Sequence, residues 1–212
     1  MGAERAVLVH GLWVHAVLME VQRRLLARAG FDAVSYSYSS VRATLTENAA
    51  RLARFARSLA APVVHWVGHS LGGLVILQML EQEQALPPGR VVLQGVPSRG
   101  SHPGRVLARN ALGARVLGRS MREWLEREHP GCYPGREIGI IAGSRGLGLG
   151  RLLIRGMPAP GDGVVAVAET ALECARDSIV LPLSHSGMLF SRAIARQTAA
   201  FLRDGRFDHG AR

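Results

Sequence analysis

Six short apolar runs, rich in β-branched residues, recur along the chain at residues 6–10, 32–38, 63–67, 90–95, 137–142 and 178–181. Runs of this length without polar alternation suit strands covered on both faces, and the stretches between them are long enough for helices. That alternation is the pattern of βαβ units, so the expected class is α/β, a mostly parallel sheet flanked by helices. A first helix is expected over 16–29, closed by Gly30, and a second over 46–60, stopping before Pro62. The second shows its solvated side directly, since Arg51, Arg54 and Arg57 fall at helical spacing opposite Leu52, Phe55, Ala56 and Leu59.

With 212 residues, 48% of them hydrophobic and 20% charged, the chain can bury one sizeable core and is neither disordered nor fibrous. No internal repeat or linker divides it, so one domain is expected over 1–205, followed by a polar C-terminal tail over 206–212. Two cysteines, Cys132 and Cys174, are too few for a disulfide framework and are read as free thiols. The net charge of +10 rests on arginine alone, for all 26 basic residues are Arg. They are scattered and not interleaved with aromatic residues, which argues against specific nucleic-acid binding. A bias in composition explains them, with weak association to anionic membrane surfaces as the functional alternative. The apolar stretch at 6–19 is interrupted by His10-Gly11 and preceded only by Arg5, so it is read as part of an uncleaved cytoplasmic protein rather than as a signal peptide.

The strongest chemical signal follows the third run. Val63-Val-His-Trp-Val67 leads into Gly68-His69-Ser70-Leu71-Gly72-Gly73 and then into an apolar helical stretch over 74–82. A serine on a sharp turn between strand and helix is held in a strained backbone, and small residues two before and two after it let the two elements approach. Such a turn lifts the Ser70 hydroxyl above the C-terminal edge of the sheet. It also aims the first amides of the next helix at any charge developing there.

With this motif in place, the chain resembles, almost end to end, the α/β-hydrolase superfamily, and within it the small bacterial lipases and esterases that carry a Gly-His-Ser-Leu-Gly-Gly nucleophile elbow. The first strand begins about six residues from Met1 and no insertion is large enough for a cap domain, so against the family pattern a reduced, roughly six-stranded sheet without a separate cap domain is expected. The run Val7-Leu-Val-His-Gly-Leu-Trp13 resembles the family's oxyanion strand and loop, in which the residue after His10-Gly11, here Leu12, donates its backbone amide. Leu71, after the nucleophile, supplies the second amide, each contributing on the order of ~3 kcal/mol to a tetrahedral intermediate. His10 is expected to pin the loop by hydrogen bonding rather than to move protons.

A serine nucleophile needs an imidazole base and a carboxylate to orient it, and in this fold the order is nucleophile, acid, histidine. Pro160-Gly-Asp162-Gly-Val-Val-Ala-Val resembles the Asp-Gly-Val-Val segment of such lipases, which makes Asp162 the acid, with Glu169 and Asp177 as rivals. His185 is the base, because it falls between a last strand and a terminal helix, in the loop the family uses. His10, His15 and His65 precede the nucleophile, His69 is the variable elbow position, His209 lies in the tail, and His102 and His129 lack the strand-loop-helix setting. The loop from Gly95 to Ser101 resembles one that shapes the rim of the site. The glycine-rich run from Gly143 to Gly150 lacks a phosphate-binding spacing and is read as a loop feeding Asp162.

The resemblance therefore implies a serine hydrolase acting on carboxylic esters through Ser70, His185 and Asp162, with no metal or cofactor. Trp13, Met188, Leu189 and Phe190 are expected to line an acyl pocket for a small-molecule or lipid substrate. Val116, Leu117, Met121, Trp124 and Leu125 form an apolar stripe within 113–128, read as a sheet-covering helix with a mobile lid as the alternative. A thioesterase or acyltransferase would use the same triad, and a non-catalytic membrane-surface binding protein is the reading from another class.

Overall fold

The computed structural model describes residues 4–83, 85–146 and 158–210. All six apolar runs form strands: β1 (Arg5–Val9), β2 (Asp32–Tyr36), β3 (Val64–His69), β4 (Val91–Gln94), β5 (Ile138–Gly143) and β6 (Asp177–Leu181). They pair in parallel in the order β2-β1-β3-β4-β5-β6. From β1 the chain goes to one side for β2 and crosses back to the other for β3. This reversal opens a crevice between the loops after β1 and β3, where open α/β sheets bind ligands.

Six helices flank the sheet among the described residues: α1 (Glu20–Arg28), α2 (Leu45–Ser58), α3 (Leu71–Gln82), α4 (His102–Ala108), α5 (Ala111–Leu125) and α6 (Arg192–Asp204). The first begins later than expected, because residues Ala16–Met19 form a 3-10 turn ahead of it. Its close at Gly30, where φ is +97°, follows the expectation. Thr44 starts α2 with a reciprocal capping box to Glu47.

Successive residues of β1 feed two cores. Val7 and Val9 join Trp66, Leu74 and Leu52 under α2 and α3, while Ala6 and Leu8 join Val67, Leu26 and Phe201 under α1 and α6. Burial on both faces explains why β1, β3, β4 and β5 read as continuous apolar runs. The edge strand β6 instead alternates, with Val180 exposed.

Three expectations are corrected. Cys132 and Cys174 are joined in a disulfide, their Cα atoms 5.1 Å apart, because folding brings together loops distant in the chain. Residues 206–209 are not a free tail. Phe207 is buried against Phe201, Gln197 bonds both the amide and the carbonyl of Asp208, and Asp177 accepts the Phe207 amide at 2.7 Å. Third, α5 packs on α2, α3 and α4 rather than covering the sheet. Glu123 accepts the Leu45 amide at 2.6 Å, placing a carboxylate at the N-terminus of α2. Buried Asn48 donates to Ser120 Oγ at 2.9 Å. At Gly118 the helix kinks, with φ +71°, where it crosses Val41. Of its expected stripe, Leu117, Met121 and Trp124 are buried but Val116 faces outward.

Candidate active site

Ser70 occupies the single residue between β3 and α3, with φ 52° and ψ −127°. Its amide still pairs with the sheet, donating to Gln94 O at 3.0 Å, and its carbonyl accepts from Gly73 N at 3.0 Å, so strand and helix meet at it without a connecting loop. That junction requires glycine on both sides. A β-carbon at Gly68 would stand 2.7 Å from Gly73 N, and one at Gly72 would stand 2.6 Å from Val9 C. Leu71 opens α3, where first-turn amides have no acceptor within the helix.

The loop after β1 lies beside this turn, since a β-carbon on Gly11 would sit 3.1 Å from Ser70 Cβ. His10 fixes its course. The ring stacks on Tyr38 with centroids 4.5 Å apart, Nε2 accepts the Tyr38 amide at 3.4 Å, and Nδ1 therefore donates to Gly11 O at 2.9 Å. Tyr38 Oη donates to the His10 carbonyl at 2.9 Å. Burial lowers the pKa of His10 and keeps the ring neutral, as this bonding requires.

Asp162 is 1% exposed. One carboxylate oxygen accepts the amides of Val164 and Val165 at 2.9 and 2.7 Å, and the other is 2.7 Å from His185 Nδ1. The Asp162 carbonyl also accepts the His185 amide at 3.0 Å, so the two residues are joined through backbone and side chain together. Val164 and Val165 thus hold the carboxylate through their backbone amides.

A third contact to His185 was not foreseen. His69 is 3% exposed, its Nε2 donates to the His185 carbonyl at 3.1 Å, and the two rings are 4.7 Å apart. Burial, with the neighbouring His185 second, pushes its pKa down to about 3, so it is a neutral donor. The only trace of this in the sequence is an imidazole at an otherwise apolar elbow.

The rivals are engaged elsewhere. Both carboxylate oxygens of Glu169 accept backbone amides, from His102 and Ala166. Asp177 holds Phe207 and His209, His65 bonds Glu4 and the Arg90 amide, and His129 stacks on Trp124 while bonding its carbonyl. The ring of His15 lies 6.3 Å from that of His10. Among the described residues no cluster of three or more His, Cys, Asp and Glu side chains offers a metal site.

Ser70, His185, Leu12, Leu71 and Trp13 line one cavity of about 520 Å³. Its remaining wall is mainly apolar, with Leu107 of α4, Leu117 and Met121 of α5, and Val164 and Val165 beside the acid. Met188, Leu189 and Phe190 are not in this wall, contrary to expectation. The 3-10 turn Ser186–Phe190 sends Met188 and Leu189 into the core against α1 and α6, and leaves Phe190 exposed. Helices α4 and α5 form that wall of the cavity instead. The Gly95–Ser101 loop contributes Pro97 and Ser101 to the rim, whereas residues 147–150 of the glycine-rich run lie outside the described residues.

The family described as Alpha/beta hydrolase family matches residues 6–208. No curated protein matches the chain. Among solved structures, the mature form of lipase BlEst2 from Bacillus licheniformis is similar at 21% identity and a TM-score of 0.72, over 95% of this chain and 91% of that one. An esterase from Exiguobacterium antarcticum, EaEST, matches at 15% identity and 0.66, over 96% and 94%. Phospholipase PlaB from Legionella pneumophila matches at 17% identity and 0.60, over 80% of this chain and 44% of its own, in complex with thio-NAD. At these identities the likeness is one of fold.

Proposed function

Because the chain belongs to the alpha/beta hydrolase family, we propose that it is a serine hydrolase that cleaves carboxylic esters with Ser70 as nucleophile, His185 as base and Asp162 as the orienting acid. The observation that carries this reading is the 2.7 Å contact between His185 Nδ1 and a buried Asp162 carboxylate, in a residue that shares its cavity with the strained Ser70 turn.

In this mechanism Ser70 Oγ attacks the ester carbonyl carbon while His185 Nε2 takes its proton. Asp162 keeps the Nδ1–H tautomer and stabilises the imidazolium. The amides of Leu12 and Leu71 receive the oxyanion, assisted by the N-terminal end of α3. The intermediate collapses as His185 returns the proton to the leaving alkoxide oxygen, and the acyl-enzyme is then hydrolysed by water through the same steps. No cofactor enters this sequence. His69 and Asp162 grip the carbonyl and amide of His185, so the base is held by its backbone as well as by its ring.

The acyl side of the cavity is walled by Leu107, Leu117 and Met121, which suits an uncharged apolar chain. The names of the lipase, esterase and phospholipase of similar fold agree with an acyl-ester substrate. The same groups would accept a thioester, and the leaving group decides between the two activities. A disulfide is at home in an oxidising compartment, which favours a location outside the reducing cytoplasm over the cytoplasmic one expected above. Among the described residues no helix is long and apolar enough to cross a membrane.

The test is a panel of chromogenic esters and thioesters of graded acyl length, assayed on the wild type, Ser70→Ala and Asp162→Asn. Ser70→Ala is expected to lower kcat by about 10⁴-fold or more, and Asp162→Asn by about 10³ to 10⁴-fold, with KM changed little. Turnover that survives Ser70→Ala would overturn the mechanism.

A further inference from the structure

In a sheet of parallel strands every loop that follows a strand emerges at the same edge, and here that edge holds Ser70 and His185. Exposed apolar side chains gather there. Trp13 and Val17 follow β1, Leu112 and Val116 follow β4 on α5, and Phe190 follows β6, while only two further large apolar side chains are exposed among the described residues. Leu112 is 74% and Trp13 60% exposed. Two of these residues meet directly beside the cavity, where Trp13, which lines it, donates its Nε1–H to Val116 O at 2.8 Å. Exposed apolar groups concentrated at one edge mark an interaction surface rather than the scatter usual for monomers.

The charge around that rim identifies the partner. Residues 102–122, which span α4 and most of α5, contain five arginines and no Asp or Glu. Arg105, Arg109 and Arg115 are exposed and form no ion pair among the described residues. A protruding indole, aliphatic side chains and unpaired guanidinium groups side by side match the boundary of a bilayer whose headgroups are negative. We infer that this edge docks on an anionic lipid surface, bringing the cavity mouth to the layer where acyl esters lie. The functional meaning rests on the reading of the cavity as an esterase site, but the docking itself does not require turnover.

The experiment keeps the two apart. Binding is measured on full-length Ser70→Ala with vesicles of phosphatidylcholine alone and of phosphatidylcholine containing about one-third phosphatidylglycerol. Turnover is measured separately on a water-soluble ester with Ser70 intact. Binding to the anionic vesicles is expected to be at least about tenfold tighter than to the neutral ones, and to weaken as salt is raised. Tryptophan emission should move to the blue, a signal assignable to Trp13 because Trp66 and Trp124 are 0% and 1% exposed.

In the same background, Arg109→Gln with Arg115→Gln is expected to lose about tenfold in affinity. The charge-matched pair Arg28→Gln with Arg206→Gln, both exposed, one the last residue of α1 and the other just past the end of α6, away from the rim, is expected to stay within about twofold. Built separately with Ser70 intact, both arginine pairs should turn over the soluble ester as the wild type does, which shows that they fold. Equal binding to neutral and anionic vesicles, equal losses in the two pairs, or an unshifted emission would each overturn the inference. Vesicle binding without any ester turnover would leave it standing and remove the hydrolase reading instead.

Discussion

At the scale of the residue, Ser70 shows how much surrounding structure its strained turn demands. Its φ of 52° with ψ of −127° is a conformation that a side chain with a β-carbon adopts only when held, at a cost of about 1–3 kcal/mol. Alanine keeps that β-carbon and glycine removes it. Ser70→Gly is therefore expected to be more stable than Ser70→Ala by about 1–2 kcal/mol in urea denaturation, the reverse of the ordinary order, with both inactive. Equal midpoints would mean that the turn stores no strain. That Ser70, Asp162 and His185 gather at one edge of the sheet is legible because each sits in a local pattern of strand, turn and small residues. The bond from His69 to His185 is not, for it joins positions 116 residues apart and nothing local marks it. The same limit misplaced Met188 and Leu189, since spacing alone does not say which way a short 3-10 turn faces.

Among the elements, α5 carries the most consequence for the site. Its kink at Gly118 lets Leu117 and Met121 reach the cavity while Ser120 and Glu123 grip α2. A β-carbon at Gly118 would stand 2.7 Å from Val41 Cα, on a backbone with φ +71°. Gly118→Ala is thus expected to destabilise the fold by at least about 1 kcal/mol and to raise KM for long acyl esters more than for acetate esters. An unchanged chain-length profile would show that α5 does not shape the acyl pocket. The strands were read directly because parallel strands buried on both faces need apolar residues throughout. For α5 the amphipathic stripe marks which residues are buried and not what buries them, so it does not distinguish a wall of the cavity from a cover of the sheet.

Over the whole molecule, three histidines are kept neutral in the interior. Burial lowers the pKa values of His10, His65 and His69, the last to about 3, whereas in the unfolded chain all three titrate near 6.5. Below that pH the unfolded state binds more protons than the folded one. Stability is therefore fully present above about pH 6.5 and falls as the solution is acidified, each histidine removing up to about 1.4 kcal/mol per pH unit until its own lowered pKa is reached. Urea midpoints measured from pH 8 to pH 4 should be level at first and then decline. A midpoint that rose on acidification would contradict the assignment of neutral, buried rings. At this scale the sequence was least informative. A pair of cysteines and a phenylalanine in a polar segment carry no sign of their partners until the chain has closed on itself.

The Cys132–Cys174 bond makes a ring of chain that contains β5 and Asp162, with Ser70 before it and His185 after it. A break in the backbone anywhere between the two cysteines would leave two polypeptides that travel as one. The molecule can thus lose its continuity as a chain in the very stretch that carries Asp162 without coming apart into separate pieces.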